Sequence, residues 1–228
     1  MEFGRAFTYI TQDPDWLKKV GIAAGLMLIP VLGWIIVGGW GLEITRRVIQ
    51  DDPTPLPDWS DFGNFAMLGL KGFVVGLVFS LPGGLVNTCQ STITALTSNP
   101  DVLRELGSDA ATVLASAGGI VALCCGCLGL ILSLAATFIS PAALGNMMAN
   151  DGQLGAAFRF GEVFGMVRSA IGPYLMVLLG TLVVAFIVPF GLIICFIGIA
   201  ATAAWGSTVL YHLYGQAYKA AKGNTVAL

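Results

Sequence analysis

The sequence predicts an all-α fold, a polytopic helical membrane protein with about six membrane segments, and two observations lead to this prediction. Hydrophobic side chains make up 56% of the 228 residues and charged side chains only 11%, whereas soluble domains carry roughly 25% charged residues. Four stretches lack Asp, Glu, Lys and Arg altogether: 20–42, 72–100, 110–150 and 169–218. Each is long enough for the roughly 20 residues of helix that cross a bilayer. They show no period of two, so strands of a membrane barrel are excluded.

The first two segments are predicted from two matching strings, Pro14-Asp15-Trp16 and Pro57-Asp58-Trp59. Proline favours the first helical turn, an acidic residue there complements the helix dipole, and tryptophan prefers the headgroup layer. Each string is therefore typical of a helix start at a membrane surface, with Asp13 as N-cap of the first. If both lie on the same side, the chain between them must enter the membrane and return.

Pro30 and Gly33 lie in the middle of that intervening stretch and divide it into two helices. A proline interrupts the hydrogen-bond ladder, so we expect a short helix over 14–29 and a longer one over 31–50. The first helix is too short to span fully, which predicts a re-entrant or steeply tilted element packed against protein.

The distribution of basic residues favours this hairpin over one straight span. With the hairpin, only Arg104 of the 11 Lys and Arg residues falls on the outer side. The inner set is Arg5, Lys18, Lys19, Arg46, Arg47, Lys71, Arg159, Arg168, Lys219 and Lys222. Because Lys and Arg accumulate on the cytoplasmic side, we expect six segments in the cell (plasma) membrane of a prokaryote, with both termini cytoplasmic.

The remaining segments are predicted at 64–86, 110–140, 169–188 and 190–214. Pro189-Phe190-Gly191 is expected to join the last two by a tight turn. The outer loop, 87–109, is expected to hold one short helix with Asn99 as cap, Pro100 in the first turn and Gly107 at the end.

The chain is predicted to form a single integral membrane domain, 1–228, that contains an internal repeat. The turn at Asp51-Asp52 and the turn at Asn150-Asp151-Gly152 each follow an apolar helix and precede an interfacial aromatic segment, about one hundred residues apart. The parts are an amphipathic N-terminal segment 1–13, a first repeat 14–86, the outer loop 87–109, a second repeat 110–188, and a last span and tail 189–228. The repeats have the same orientation, unlike those of inverted-repeat transporters.

The strings described above carry a family resemblance. Asp13-Pro14-Asp15-Trp16-Leu17-Lys18-Lys19 before an apolar hairpin, Gly41-Leu42 with Arg46-Arg47, and Leu56-Pro57-Asp58-Trp59 with Asp61 resemble the DUF4013 family. This is a family of uncharacterised bacterial and archaeal multi-pass membrane proteins, catalogued as a domain of unknown function. The resemblance covers nearly the whole chain, and its specific part is the first seventy or so residues. It implies a membrane location and carries over no functional residue.

Cysteines are the first candidates for chemistry. Cys124, Cys125 and Cys127 fall in a charge-free helix with no His or carboxylate nearby in sequence, which favours packing over a soft-metal or redox site. Cys89 is the single cysteine of the outer loop. A lone outer thiol makes no disulfide unless the helix-borne thiols come within reach.

The single histidine, His212, follows Ser207 by five residues, which places the two on different helix faces. No nucleophile-elbow pattern surrounds Ser207. We therefore expect His212 to be an interfacial anchor together with Tyr211, Tyr214 and Tyr218.

Carboxylates are absent from the interior of the predicted spans, which argues against a proton-coupled pump. Glu43, near the inner end of its helix, is expected to pair with Arg47. The spacing of the acidic inner loop matches no calcium-binding pattern, so a solvated turn with capping roles is expected; its members are Asp51, Asp52, Asp58 and Asp61. The sequence thus predicts no catalytic, cofactor-binding or metal-binding residue, no cofactor, and no enzyme.

Glycines at small-xxx-small spacing predict close helix packing, within the chain in preference to an oligomer interface. The pairs are Gly21/Gly25, Gly72/Gly76 and Gly161/Gly165.

These features together predict a non-catalytic accessory, scaffold or assembly component of the membrane. The alternative is a small-solute or lipid transporter or channel-like protein, with breaks at Pro30, Pro82 and Pro189 lining a cavity and Asn87, Thr88 and Gln90 at its mouth. An intramembrane enzyme is a third reading without a candidate residue pair. The expected partners are the lipid bilayer and, as one option, another membrane protein, with the homo-oligomeric state open. A net charge of −2 without a basic patch excludes nucleic acid.

Overall fold

A computed structural model describes residues 1–226, and the side chains of all of them except 194–196 and 224–226. Every regular element in that range is helical, which confirms the all-α class. The helices are α1 (Arg5–Thr8), α2 (Trp16–Met27), α3 (Leu32–Ile49), α4 (Phe62–Thr97), α5 (Pro100–Leu106), α6 (Ser108–Ala149), α7 (Leu154–Ala157), α8 (Phe160–Ser169), α9 (Ile171–Ile187) and α10 (Cys195–Val226), with 3₁₀ turns at Tyr9–Gln12 and Val188–Ile194.

Within residues 1–226, three helices are long and apolar enough to cross a bilayer: Phe62–Thr97, Ser108–Ala149 and Ile171–Ile193. The chain is therefore a membrane protein by the length and composition of its helices. The first two are longer than the predicted spans 64–86 and 110–140: Phe62–Thr97 continues into the expected outer loop, and Ser108–Ala149 continues past its predicted end at residue 140. Pro82 lies inside α4 without ending it, so the expected break at this proline is wrong.

The chain divides into two compact units, Met1–Gly76 with Phe138–Leu228, and Leu77–Thr137. In the first unit, α10 is the central helix and packs against α2, α3, α8 and α9. The largest side chains of its core are fully buried and include Trp40, Tyr174, Leu42, Met147 and Leu213. This core positions the pocket described below.

Helices α2 and α3 are separated by a turn that contains Pro30, at the predicted division of this stretch. Val31 takes a positive φ of 66° there, a conformation that β-branched residues rarely adopt. Helix α2 begins at Trp16 and not at Pro14 as predicted. Asp13 does not cap it, because its Oδ1 accepts the Asp15 N–H in a turn that precedes the helix and its Oδ2 binds Lys19.

Glycines make close helix contacts in the first unit, but most of these glycines are not members of the predicted pairs. Helices α3 and α4 cross where Gly39 lies against the Phe65 carbonyl and Gly69 against the Ile35 carbonyl. Of the predicted pairs, Gly72 is packed against Leu42, whereas the other five have open space where a side chain would stand: Gly21, Gly25, Gly76, Gly161 and Gly165. The close packing predicted at those five glycines is therefore wrong. A small residue permits close approach only where its helix face meets a neighbour.

The two acidic turns end their helices with the same geometry. Asp51 after α3 and Asp151 after α6 both have a positive φ, 59° and 53°. The next residue then donates its N–H back to a helical carbonyl, Asp52 to Arg47 at 2.9 Å and Gly152 to Met147 at 3.0 Å. Both are Schellman-type ends, which satisfy carbonyls that a helix leaves unpaired. The internal repeat stays a prediction, with this matched geometry in its favour.

The second unit contains parts of α4 and α6 together with α5. Helix α5 confirms the predicted short helix in detail: the Asn99 side chain accepts from the Asp101 and Val102 N–H groups, Pro100 is its first residue, and Gly107 follows it with a φ of 76°. Local capping chemistry is sufficient to define this element.

Between α4 and α6 of this unit, polar side chains lie against glycines. Gln90 faces Gly126, Thr97 faces Gly118, and Ser133 faces Gly83. Large apolar side chains point outward instead, and Leu85 and Leu123 are each 68% exposed. Polar groups inside and apolar groups outside is the arrangement expected of a helix pair surrounded by lipid.

Several outward-facing hydroxyls of this unit are bonded within their own helices. Thr88 donates to the Gly84 carbonyl, Ser91 to Asn87, and Ser116 to Thr112, each four residues earlier and at 2.8 to 2.9 Å. Such bonds satisfy hydroxyl groups where no water is present. They let the helix extend through a segment whose polarity predicts a loop.

Candidate functional site: a pocket beside the last helix

A half-open pocket of about 680 Å³ lies in the first unit, beside the C-terminal part of α10. This volume falls in the range of small-ligand sites. Its walls come from the N-terminal segment, the loop between α3 and α4, and α10. The polar lining residues are Glu2, Arg5, Tyr9, Gln12, Asp13, Asp51, Asp52, Thr54, His212, Gln216 and Lys219, and the apolar ones include Val48 and Leu56.

The N-terminal segment is held against α10 by specific contacts. The Tyr9 hydroxyl donates to the Thr208 carbonyl at 3.1 Å, and the Tyr9 ring stacks on His212 with 4.1 Å between ring centroids. The Phe7 ring contacts that of Trp205 at a tilt of 49°, with 6.0 Å between ring centroids. Tyr9 and His212 are both buried. The segment is therefore a fixed wall of the pocket.

Gln216 determines the tautomer of His212. The Glu2 N–H donates to Gln216 Oε1 at 2.8 Å, so that atom is the amide oxygen. Gln216 Nε2 then donates to the Glu2 carbonyl at 3.2 Å and lies 3.1 Å from His212 Nδ1. An amide nitrogen only donates, so Nδ1 must accept, and the neutral ring carries its proton on Nε2. Among residues 1–226, Nε2 has no hydrogen-bond partner, and His212 lines the pocket.

Charged groups of both signs surround the opening. Lys219 pairs with Asp51, and Arg5 Nη1 lies 3.3 Å from Glu2 Oε2. Asp52 accepts from the Thr54 N–H and hydroxyl through Oδ1 alone, at 2.8 and 3.0 Å. The backbone hydrogen bond from Thr54 lowers the pKa of Asp52 below its usual value, more than burial raises it. Asp52 is thus ionised at neutral pH with its second oxygen free to accept.

The two matching strings meet next to this pocket, in a cluster formed by Asp13, Lys19, Trp40, Asp58 and Trp59. Lys19 Nζ lies 2.8 Å from Asp13 Oδ2 and 2.9 Å from Asp58 Oδ1. The Trp59 indole donates to the Lys19 carbonyl at 2.8 Å, and Trp40 stacks on Trp59. The two strings are therefore in direct contact in the fold.

The remaining acidic residues of the inner loop and of α3 are engaged locally. Asp61 caps α4 by accepting the Asn64 N–H at 3.1 Å, the capping role predicted for this loop. Glu43 is buried and pairs with Arg47 at 3.5 Å as predicted, and more closely with Arg46 at 2.7 Å. These groups build structure and do not face the pocket.

The residues that the sequence suggested for catalysis or metal binding do not come together in the structure. Ser207 donates its hydroxyl to the Ala204 carbonyl, away from His212. In the second unit, the Cys125 thiol lies near that of Cys89, and both are free. Within the part of the chain that the structure describes, no three His, Cys, Asp or Glu side chains are grouped to hold a metal ion.

The residues expected at the mouth of a transport cavity lie elsewhere. Asn87 and Gln90 contact Gly129 and Gly126 across the α4–α6 interface, and Thr88 bonds its own helix. They do not line the pocket described above, and their placement at the mouth of a cavity stays a prediction. Arg5 and Gln216 of the pocket carry no sequence signal of a site, because the contacts that assemble it join residues more than two hundred positions apart.

The model of a family described as "Protein of unknown function (DUF4013)" matches residues 22–197 of the chain. No curated protein and no solved structure matches it.

Proposed function

Since this chain belongs to the DUF4013 family of proteins of unknown function, we propose its role from its own structure: a non-catalytic accessory, scaffold or assembly component of a prokaryotic plasma membrane. The observation that carries the proposal is the packing of the helices through glycines, with α3 and α4 in backbone contact at Gly39 and Gly69. Such packing makes a rigid bundle. Its apolar exterior is available to lipid and to another membrane protein.

We propose six membrane segments, of which α2 and α3 form a re-entrant hairpin. Twelve residues of α2 extend about 18 Å, less than the roughly 30 Å of the hydrocarbon core. The contacts of Lys19 with Asp58 and Trp59 support a hairpin that begins and ends at the same surface. Placing this surface in the cytoplasm leaves Arg104 as the single outer basic residue.

Cysteine labelling tests this topology. In a variant without native cysteines, Lys18→Cys and Arg104→Cys place single thiols at exposed positions near the two proposed surfaces. A membrane-impermeant thiol reagent added to intact cells should label Arg104→Cys alone, and both after lysis. Labelling of Lys18→Cys in intact cells would contradict the proposed orientation.

Purification at natural expression level tests the scaffold role. We expect one membrane-protein partner at a fixed stoichiometry, measured by native mass spectrometry from mild detergent. The partner should be lost in Gly39→Leu, which opens the α3–α4 crossing, and kept in Gly76→Leu, where the structure has free space. A homogeneous protein without any partner would count against the role.

The pocket of about 680 Å³ favours a second candidate, a small-solute or lipid transporter or channel-like protein. Reconstituted vesicles distinguish the two roles. Solute or lipid flux from protein without a partner supports the transporter, and its absence together with a stoichiometric partner supports the scaffold.

A further inference from the structure

On one side of the pocket beside α10, His212 and Arg5 offer hydrogen-bond donors that a ligand can use. His212 carries its proton on Nε2 and lines the pocket, with 4% of the residue exposed. No partner of Nε2 is found among the described residues, so a ligand in the pocket can accept a hydrogen bond from it. Arg5 lines the same pocket. Its guanidinium has one bond, to Glu2, and further N–H groups to offer.

On another side of the same pocket, the carboxylates of Asp51 and Asp52 offer hydrogen-bond acceptors. Asp52 directs its local hydrogen bonds to Oδ1 alone, which leaves Oδ2, and Asp51 pairs with Lys219 through Oδ1. Lys219 follows His212 by two helical turns. The carboxylates beside Lys219 are therefore about 10 Å along α10 from the donor of His212.

The charges of the lining decide which ligand fits. Three of the four lining carboxylates are paired with a cation: Glu2 with Arg5, Asp51 with Lys219 and Asp13 with Lys19. Asp52 has no ion pair in the described part of the chain, so it offers a place for a positive charge on a ligand. The donors of Arg5 and His212 require an acceptor, and Arg binds phosphate and carboxylate groups best. A simple anion leaves the Asp52 carboxylate without a cationic partner, and a simple cation leaves the donors of Arg5 and His212 unused.

We propose that this pocket binds a zwitterion, with a phosphate or carboxylate held by Arg5 and His212 and a primary ammonium held by Asp51 and Asp52. This chemistry occurs in two sources, the phosphoethanolamine headgroup of a membrane lipid and a soluble zwitterion of similar size. The proposal goes beyond the scaffold role and does not depend on it.

Calorimetry with O-phosphoethanolamine and the full-length protein in detergent tests the proposal. We expect saturable binding that weakens at least tenfold in Arg5→Met and in Asp52→Asn, and at least tenfold weaker binding of ethanolamine and of inorganic phosphate to the wild type. The Arg5 and Glu2 side chains are both more than 60% exposed, so Arg5→Met should not disturb the fold. Matched controls are Arg104→Met and Asp109→Asn, which lie in the other unit and should bind within twofold of the wild type.

Nanodiscs distinguish the two sources. Enrichment of phosphatidylethanolamine over phosphatidylglycerol in the wild type and its loss in Arg5→Met support the lipid headgroup. Binding of free phosphoethanolamine without lipid enrichment supports a soluble zwitterion. Absence of saturable binding, or unchanged binding in both Arg5→Met and Asp52→Asn, overturns the proposal. Equally tight binding of inorganic phosphate also overturns it, because the ammonium would then contribute nothing.

Discussion

The crossing of α3 and α4 predicts a large effect for the smallest possible substitution. In Gly39→Ala, the new Cβ would lie 1.7 Å from the Phe65 carbonyl oxygen. A carbon and an oxygen normally approach to about 3.3 Å. The two helices must therefore separate by about 1.6 Å, since a backbone carbonyl cannot rotate away as a side chain can.

The expected cost follows from two opposing effects. Overpacking of this kind costs about 3 kcal/mol, at the upper end of the usual range. Replacing glycine by alanine inside a helix returns about 1 kcal/mol. The free energy of unfolding should fall by about 2 kcal/mol, which corresponds to about 4 to 8 °C in Tm for a chain of this size.

Thermal unfolding of the protein in one detergent, followed by tryptophan fluorescence, measures the effect. Gly69→Ala on the facing helix should behave like Gly39→Ala, because its Cβ would lie 1.8 Å from the Ile35 carbonyl. Gly76→Ala is the matched control on α4, with open space at the Cβ position, and should leave Tm unchanged or slightly raised. Equal shifts for Gly39→Ala and Gly76→Ala would refute the reasoning, because they would show that the crossing is not in contact.

Two further predictions concern the second unit and the cluster around Lys19. A mild oxidant such as copper phenanthroline should join Cys89 to Cys125, with loss of two titratable thiols; Cys127→Ser should still react and Cys125→Ser should not, whereas joining through Cys127 would contradict the interface. The hydrogen bond from Lys19 and its charge lower the pKa of Asp58, so its stabilisation is present above the unfolded pKa near 4 and is lost as pH falls through the lower folded value. The difference in Tm between the wild type and Asp58→Asn, small because Asp58 is exposed, should therefore shrink from pH 6 to pH 3, and a constant difference would contradict the assignment.

Elements governed by neighbouring residues are the ones that the sequence predicts well. Asn99, Pro100 and Gly107 specify α5 because a cap, a first-turn proline and a positive-φ glycine all act within one short segment. The turn at Pro30 is predicted for the same reason. The extension of α4 to Thr97 is missed, because hydroxyls that bond their own backbone make a polar segment compatible with an apolar environment.

Contacts between distant residues are not visible in the sequence. Gly39 and Gly69 belong to no small-xxx-small pair, yet they make the helix crossing, whereas the regular pair Gly21/Gly25 meets nothing. The spacing of residues in the sequence indicates which of them lie on the same helix face. Which helix faces pack together depends on the tertiary structure. The candidate site shows the same limit: His212 and Asp52 stand out as residue types, but their convergence with Arg5 depends on how the N-terminal segment docks.

Because the N-terminal segment docks on α10, the pocket cannot form until the ribosome has synthesised α10. Tyr9 and Thr208 are 199 positions apart, and a ribosome adds about 5 to 20 residues per second. The N-terminal segment thus waits roughly 10 to 40 s for the helix that receives it. Any chain interrupted before α10 lacks the partner of Tyr9 and one whole wall of the pocket, so occupancy of this site would distinguish finished molecules from unfinished ones.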